Sequence, residues 1–337
     1  MIKINGTYYT SLEEIKNTSL SYELIHFLEL WFNDDDFISI KTSGSTGKPK
    51  EIKLLKEHMI NSAKATCDFF NLKENQTALL CLPIKYIGGQ MMVVRSIVNN
   101  LNLIITEPSL QPLKNIPEKI DFAAFTPQQV FHILQENKAA FGLIKNIIIG
   151  GGAIDISLQN KLKTFENNIF STYGMTETCS HVALKKINSD KKEYFNALAN
   201  ITFETDNRGC LIINASGISS EKITTNDVVN LMSNTSFEWL GRFDNVINSG
   251  GIKIYPEEVE EKLQPIVSNT FYVTSKKDNE LGEKLILVIE GDLIEEKKEI
   301  ILKKSKKVLQ KHHTPKEVIC LPVFERTPTD KIIRKKF

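Results

Sequence analysis

The chain has 337 residues, is 41% hydrophobic and 25% charged, and carries a formal net charge of +1. That length exceeds one ordinary core and implies two or more folded units, while the near-zero charge gives no bulk electrostatic case for a nucleic-acid or membrane partner. Five cysteines (67, 81, 179, 210 and 320) are odd in number, widely spaced and free of any CxxC, which argues against a disulfide framework or structural zinc and for a reducing cytoplasm.

The opening "MIKINGTYYT" lacks the apolar core of a signal peptide. Residues 1–36 read as a short strand, a loop and an amphipathic helix with Leu20, Leu24, Phe27, Leu28 and Trp31 on one face. "FISIKTSGSTGKPKEIKLLK" then reads as strand, loop, strand, and residues 56–71 as a helix. "TALLCLP" reads as a buried strand stopped by Pro83, and "YIGGQMMVVRSIVNN" as a glycine-opened helix. "NLIITE", "FAAFTP" and "IKNIIIGGG" are further apolar runs followed by turn residues, with helical stretches near 88–100, 127–139 and 155–167. No apolar run approaches the ~20 residues that span a bilayer.

Strands alternating with helices at this spacing predict an α/β domain with a largely parallel sheet, whose ligands gather at the carboxyl ends of the strands. "SGSTG", "TPQQ", "GGGA" and "STYGMTET" each follow a strand-like run, so all four are expected at one cleft. From about 200 the texture changes to short β-like segments. "IKIYPEEVEEKLQ" then predicts a proline-started helix, "NTFYVTS" and "KLILVIEG" a strand pair, and residues 294–311 a lysine-rich amphipathic helix. The expected fold is α/β: a large domain over residues 1–243 with a mainly parallel sheet and a β-rich part, then a small mobile α+β domain over 244–337, linked around Arg242 to Asn248.

Within this frame "KTSGSTGKPK" has the composition of a phosphate-gripping loop. It fails as a Walker loop, because Gly44 and Gly47 are separated by two residues and Pro49 follows Lys48. What remains is Thr42, Ser43, Gly44, Ser45, Thr46, Gly47 and Lys48, a loop whose N–H groups, hydroxyls and ammonium can hold phosphate oxygens. A plain flexible turn is the alternative.

Five stretches in order, "TSGSTGKPK", "STYGMTET" (171–178), "TND" (225–227), "GRFDNVINSGGIKIYPEEVE" (241–260) and "RTPTDKIIRKK" (326–336), resemble the motifs of the adenylate-forming enzymes, the superfamily of acyl- and aryl-CoA ligases, peptide adenylation domains and luciferases. Within it, the short chain with "LPIKYIGGQMMVVRS" most resembles the o-succinylbenzoate–CoA ligase branch of menaquinone synthesis. The resemblance implies attack of a carboxylate on the α-phosphate of ATP with Mg²⁺, then transfer of the acyl group to coenzyme A, in the cytoplasm. It implies a catalytic Lys331 and a metal-holding Glu177. It implies nucleotide contacts from Gly151, Gly152, Ala153, Thr172, Tyr173, Gly174, Met175, Thr176, Asp227 and Arg242, with a hinge at Asp244. Lys85, Tyr86, Gly88, Gly89, Gln90, Thr126 and Gln128 are expected at the acid pocket, Lys85 being able to meet a second carboxylate. The bland alternatives are a solvated lysine at 331 or 85, a core tyrosine at 173 and a surface salt bridge for Asp227 with Arg242.

Two family glycines are replaced, by Asn226 and Asp330; both substitutes tolerate left-handed backbone, so positive φ is expected there. The phosphate loop begins at residue 42, where relatives carry a longer preceding segment, so most of an N-terminal subdomain is expected to be missing. Loading of a carrier-protein thiol, and a degenerate nucleotide-binding homologue, are the alternatives to a CoA ligase. A homo-oligomer is compatible with each.

Overall fold

The computed structural model describes residues 1–41, 51–114, 116, 119–327 and 332–337. Strands β1 (Ile2–Ile4) and β2 (Thr7–Tyr9) form a hairpin turning at Asn5 and Gly6, both at positive φ. Helices α1 (Leu12–Lys16) and α2 (Tyr22–Phe32) each start at a serine: the Ser11 hydroxyl accepts from the Glu14 N–H and that of Ser21 from Leu24. β3 (Phe37–Lys41) and β4 (Glu51–Leu55) pair antiparallel as a separate ribbon flanking residues 42–50.

Alternation follows: α3 (Lys56–Phe69), β5 (Thr77–Leu80), α4 (Ile87–Val98), β6 (Asn102–Ile105), β7 (Ile120–Phe125), α5 (Pro127–Glu136), α6 (Lys138–Gly142), β8 (Ile144–Ile149), α7 (Ile156–Leu162) and β9 (Asn168–Gly174). β9, β8, β7, β5, β6 and β1 are successive parallel neighbours. Helical crossovers return the chain to the same end of the sheet, which enforces parallel pairing. Helices cover both faces, so these strands are apolar almost throughout. Phe122, Ala124 and Ile148 pack into one core with α2, α3 and α4; Ala123, Phe125, Ile147 and Ile149 pack into the other with α5, α6 and α7.

The β-rich part is not a separate layer. β10 (His181–Lys186), β11 (Phe195–Ala197), β12 (Thr202–Thr205), β13 (Cys210–Asn214), β14 (Ile223–Ser233) and β15 (Ser236–Arg242) continue the same sheet antiparallel beyond β9, giving 13 strands in all. Asn226 lies inside β14 and is not among the positive-φ residues, so left-handed tolerance does not explain it; Asp330 lies outside the described residues.

The remaining chain forms a second sheet with its own core. β16 (Ile247–Ser249), β17 (Ile252–Ile254), helix α8 (Pro256–Leu263), β18 (Phe271–Asp278), β19 (Gly282–Glu290), helix α9 (Glu295–Val308) and β20 (Glu317–Leu321) follow in order. β19 is antiparallel to β16 and β18 and parallel to β20. Val259 and Leu263 of α8 and Leu309 after α9 pack on Leu285, Leu287 and Ile289. Among the described residues no helix is long and apolar enough to cross a membrane.

Two polar contacts organise this unit. Glu260 of α8 accepts from the Val273 N–H at 2.6 Å and holds Arg334 in a fork, with Arg334 Nη2 2.7 Å from Oε2 and Nη1 on Oε1, while Nη1 also donates to the Val273 carbonyl at 3.1 Å. Burial pushes the Glu260 carboxyl up and Arg334 pulls it back. Removing Glu260 leaves Arg334 only the longer pair with Glu257 Oε1 at 3.7 Å, so Glu260→Ala is expected to destabilise this unit by about 3 kcal/mol. A urea melt followed by probes within 244–337 checks it; a shift below about 1 kcal/mol would mean the pair is solvent-screened. The second contact faces the large sheet: Asn245 Nδ2 donates to Glu257 Oε1 at 2.6 Å, and Glu257 Oε2 is buried with no partner among the described residues. A side chain at Gly241 would collide with that carboxylate.

Candidate active site

β9 ends at Gly174 beside the start of β10, and a Cβ there would run into the Ser180 carbonyl and the His181 Cα. Glycine therefore lets the two strands close. Just before it, the Tyr173 hydroxyl donates to Asp227 Oδ2 at 2.7 Å. The Tyr173 ring meets Phe237 edge-on at 5.0 Å and tilts against Phe195 at 5.8 Å. Burial, then the neighbouring Asp227 charge, pushes the Tyr173 hydroxyl far up, so it remains a donor.

Asp227 sits opposite Arg242 in the β14–β15 register. Its own N–H donates to Thr225 Oγ1 at 3.0 Å. Arg242 Nη1 lies 3.9 Å from Asp227 Oδ1, and Nη2 donates to Asp244 Oδ2 at 3.1 Å. Asn226 Nδ2 reaches the same Asp244 oxygen at 3.4 Å and its Oδ1 accepts from Arg208 at 3.1 Å. Asn226 thus supplies an amide that bridges Arg208 to Asp244. An ionised Asp227 has about four lone-pair sites; one hydrogen bond and one long ion pair leave acceptor capacity for hydroxyls.

The ends of β7, β8 and β9 lie side by side through the Phe125–Ile149 and Ile149–Ser171 pairings. A Cβ at Gly150 would strike Thr172 Oγ1, and Gly151 takes φ +82°, so the 150–153 turn bends away over the sheet edge, with residues 151–153 exposed. Thr126 caps α5, its hydroxyl accepting from the Gln129 N–H at 3.2 Å. That cap fixes the helix phase: Gln128 is exposed, while Gln129 is buried and donates to the Cys81 and Ser109 carbonyls at 3.0 Å. A Cβ on Gly89 would meet the Pro83 carbonyl, and Gly88 approaches Leu82. Lys85 is exposed, its ammonium 5.0 Å from the Tyr86 ring centroid.

The Met175 N–H donates to Thr178 Oγ1 at 2.9 Å and the Thr176 carbonyl accepts from the Cys179 N–H at 2.9 Å, closing the turn that carries Glu177. Glu177 is exposed, and β4 packs against its turn. Among the described residues no three acidic, histidine or cysteine side chains group as a metal site. A single free carboxylate suits a magnesium ion that takes its other ligands from phosphates and water. Thr42, Ser43, Gly44, Ser45, Thr46, Gly47, Lys48 and Lys331 lie outside the described residues.

One cation was not picked out from the sequence. Arg95, on α4, is 1% exposed, and no carboxylate pairs with it among the described residues. Nη2 donates to Ser180 Oγ at 2.6 Å and Nη1 to Met92 Sδ at 3.6 Å, while Nε is buried without a partner. Burial lowers Arg95 to about 10, so it is charged at neutral pH. Gln90 Oε1, earlier on the same helix, is also buried and unpartnered. His181 touches Ser180 Oγ through Nδ1 and Thr66 Oγ1 through Nε2, each at 3.2 Å.

Comparison with known proteins adds four findings. A family profile described as AMP-binding enzyme matches residues 27–205, just over half of the chain. A solved acyl-CoA synthetase (AMP-forming)/AMP-acid ligase II-like protein from Dyadobacter fermentans is 32% identical, with 96% of each chain covered and a TM-score of 0.65. The 2-succinylbenzoate–CoA ligase of Haemophilus influenzae is 26% identical over 74% of this chain, and the match spans 58% of that enzyme's length. The o-succinylbenzoate coenzyme A synthetase of Bacillus subtilis, solved with ATP and magnesium, shares the fold at a TM-score of 0.75 and 21% identity, covering 88% of this chain and 68% of that one.

Proposed function

Since the chain belongs to the AMP-binding enzyme family, we propose that it is an ATP-dependent acid–thiol ligase. A carboxylate oxygen attacks the α-phosphorus of ATP, the bond to the bridging oxygen breaks, and pyrophosphate leaves. The thiol of coenzyme A then attacks the acyl carbon of the adenylate and AMP departs with the bonding pair. The observation that carries this reading is the Tyr173–Asp227–Arg242 constellation at the end of β9, beside the Glu177 turn.

In this reading Asp227 accepts the ribose hydroxyls, held in place by the Tyr173 O–H, and Arg242 donates nearby. The 150–153 turn gives a flat edge for adenine. Glu177 holds a magnesium ion, which supplies charge neutralisation of the phosphates when bound. Thr42 to Lys48 grip the β- and γ-phosphates as the leaving group. Residues 244–337 rotate about Asp244 between the two half-reactions, carrying Lys331 to the α-phosphate for the first.

For the acid we assign an aromatic dicarboxylate of the o-succinylbenzoate type. The names of the curated relatives support this, and so does Arg95: a buried cation without a counter-ion is costly unless a ligand supplies the negative charge. Lys85 was the sequence candidate for that second carboxylate, but its exposure leaves it well solvated, so the role passes to Arg95.

Acid-dependent ATP–pyrophosphate exchange across a panel of aromatic and aliphatic acids tests the ligase reading. Exchange with o-succinylbenzoate and AMP release on adding coenzyme A are expected. No exchange with any acid would leave a nucleotide-binding homologue, and exchange without a coenzyme A thioester would point to a carrier-protein thiol. Asp227→Asn is expected to raise the KM for ATP about 10- to 100-fold, the worth of a charged hydrogen bond at 1.5–3 kcal/mol. An unchanged KM would remove Asp227 from the nucleotide site.

A further inference from the structure

Behind Arg95 the donors and acceptors form a chain whose direction can be worked out. Arginine only donates, so Ser180 Oγ must accept from Arg95 Nη2 at 2.6 Å. Its one hydrogen is then free to point to His181 Nδ1 at 3.2 Å. That makes Nδ1 the acceptor and places the imidazole proton on Nε2, which donates to Thr66 Oγ1 at 3.2 Å. Thr66 passes its own hydrogen to the Ser62 carbonyl at 3.1 Å. The other tautomer would leave the Ser180 hydrogen without an acceptor among the described residues and need the single Thr66 hydrogen in two places. Burial, then the Arg95 charge, holds His181 neutral, which this chain requires. His181 is 4% exposed and Thr66 fully buried, so water does not compete for the bond between them, while Ser180, on the other side of the ring, is part-buried.

We propose that Ser180, His181 and Thr66 form a one-way hydrogen-bond relay that fixes the Arg95 guanidinium as receptor for the second carboxylate of the acid, with Ser180 and His181 as positioning residues for substrate choice. The proposal rests on the Arg95 assignment made above. Only two of five guanidinium N–H groups are occupied among the described residues, one by a weak sulfur acceptor. Ser180 orients the plane, and the unpartnered Nε marks where polar satisfaction is missing. A rotamer held by a relay loses less freedom on binding than a free arginine, which favours acids bearing the second charge.

The test compares o-succinylbenzoate with the same keto acid lacking the ring carboxylate, in ATP–pyrophosphate exchange. Wild type, Ser180→Ala, His181→Leu and His181→Gln are measured, with melting temperature as a folding check. The preference for the diacid, as a ratio of kcat/KM, is expected to fall about tenfold in Ser180→Ala and His181→Leu, through the diacid KM rather than kcat. His181→Gln offers one acceptor and one donor and is expected to keep the preference. Equal loss with both acids, or a preference that survives Ser180→Ala, overturns the relay. If the His181 variants fail to fold, Ser180→Ala, which removes one oxygen, still decides. Wild-type exchange without any preference overturns the Arg95 assignment and the relay with it, whereas no exchange at all overturns the ligase reading instead.

Discussion

Alanine in place of Lys331 is expected to slow acid-dependent pyrophosphate exchange by about 10²–10³, the usual worth of one preorganised charge at a developing anion. Attack on the α-phosphorus gathers negative charge on its non-bridging oxygens and on the incoming carboxylate. The cations described near the strand ends are committed elsewhere: Arg242 faces Asp227 and Asp244, and Arg95 is fixed on Ser180. A lysine delivered by the unit proposed to rotate is the group this reading leaves for the α-phosphate. Thioester formation from a supplied acyl-adenylate involves no attack at phosphorus, so it is expected to stay near the wild-type rate. Single-turnover measurement of each half-reaction separates the two, and equal loss of both would remove Lys331 from this role. Ser45→Ala and Lys48→Ala are expected to follow Lys331→Ala, since a grip on departing phosphates also serves the first half-reaction alone.

Arg95→Met is expected to have opposite effects on activity and on stability. The kcat/KM for a diacid should fall about 10²-fold, as a charge-assisted, water-excluded contact worth about 1.5–3 kcal/mol is lost. The unliganded protein should be no less stable, and up to about 1–4 kcal/mol more stable, because an apolar side chain of similar volume replaces a desolvated charge. Ser180 keeps its donor bond to His181 in the variant. Urea unfolding and exchange kinetics on the same preparation check both. A variant that loses stability along with activity would show that Arg95 braces the fold rather than waiting for a ligand.

The parallel half of the sheet was readable because short apolar runs separated by amphipathic helices leave few other arrangements. The placement of β1 was not: three residues beside β6 carry no periodic signal, and only the tertiary pairing reveals them. Asp227 and Arg242 were found through motif resemblance, and an antiparallel register sets them opposite each other. Gln128 was named where Gln129 turned out to be the buried amide, since one residue of helix phase depends on the Thr126 cap. Asn226 was read through backbone tolerance, whereas its side chain carries the interaction, with Arg208 and Asp244. Arg95 sits in "MMVVRSIV" with no acidic neighbour in sequence, and the hydroxyl that accepts from it, Ser180, lies 85 residues away.

The contact between Glu257 and Gly241 gives a handle on the seam between α8 and β15. A hydrogen bond from Asn245 and an ion pair with Arg334 at 3.7 Å hold that carboxylate, and its second oxygen has no hydrogen-bond partner among the described residues, a deficit worth about 1–3 kcal/mol. A β-carbon at Gly241 would press on the tip of that flexible carboxylate, and Gly241 itself takes φ +156°, so Gly241→Ala is expected to displace the Glu257 carboxylate from Asn245 and to strain the end of β15.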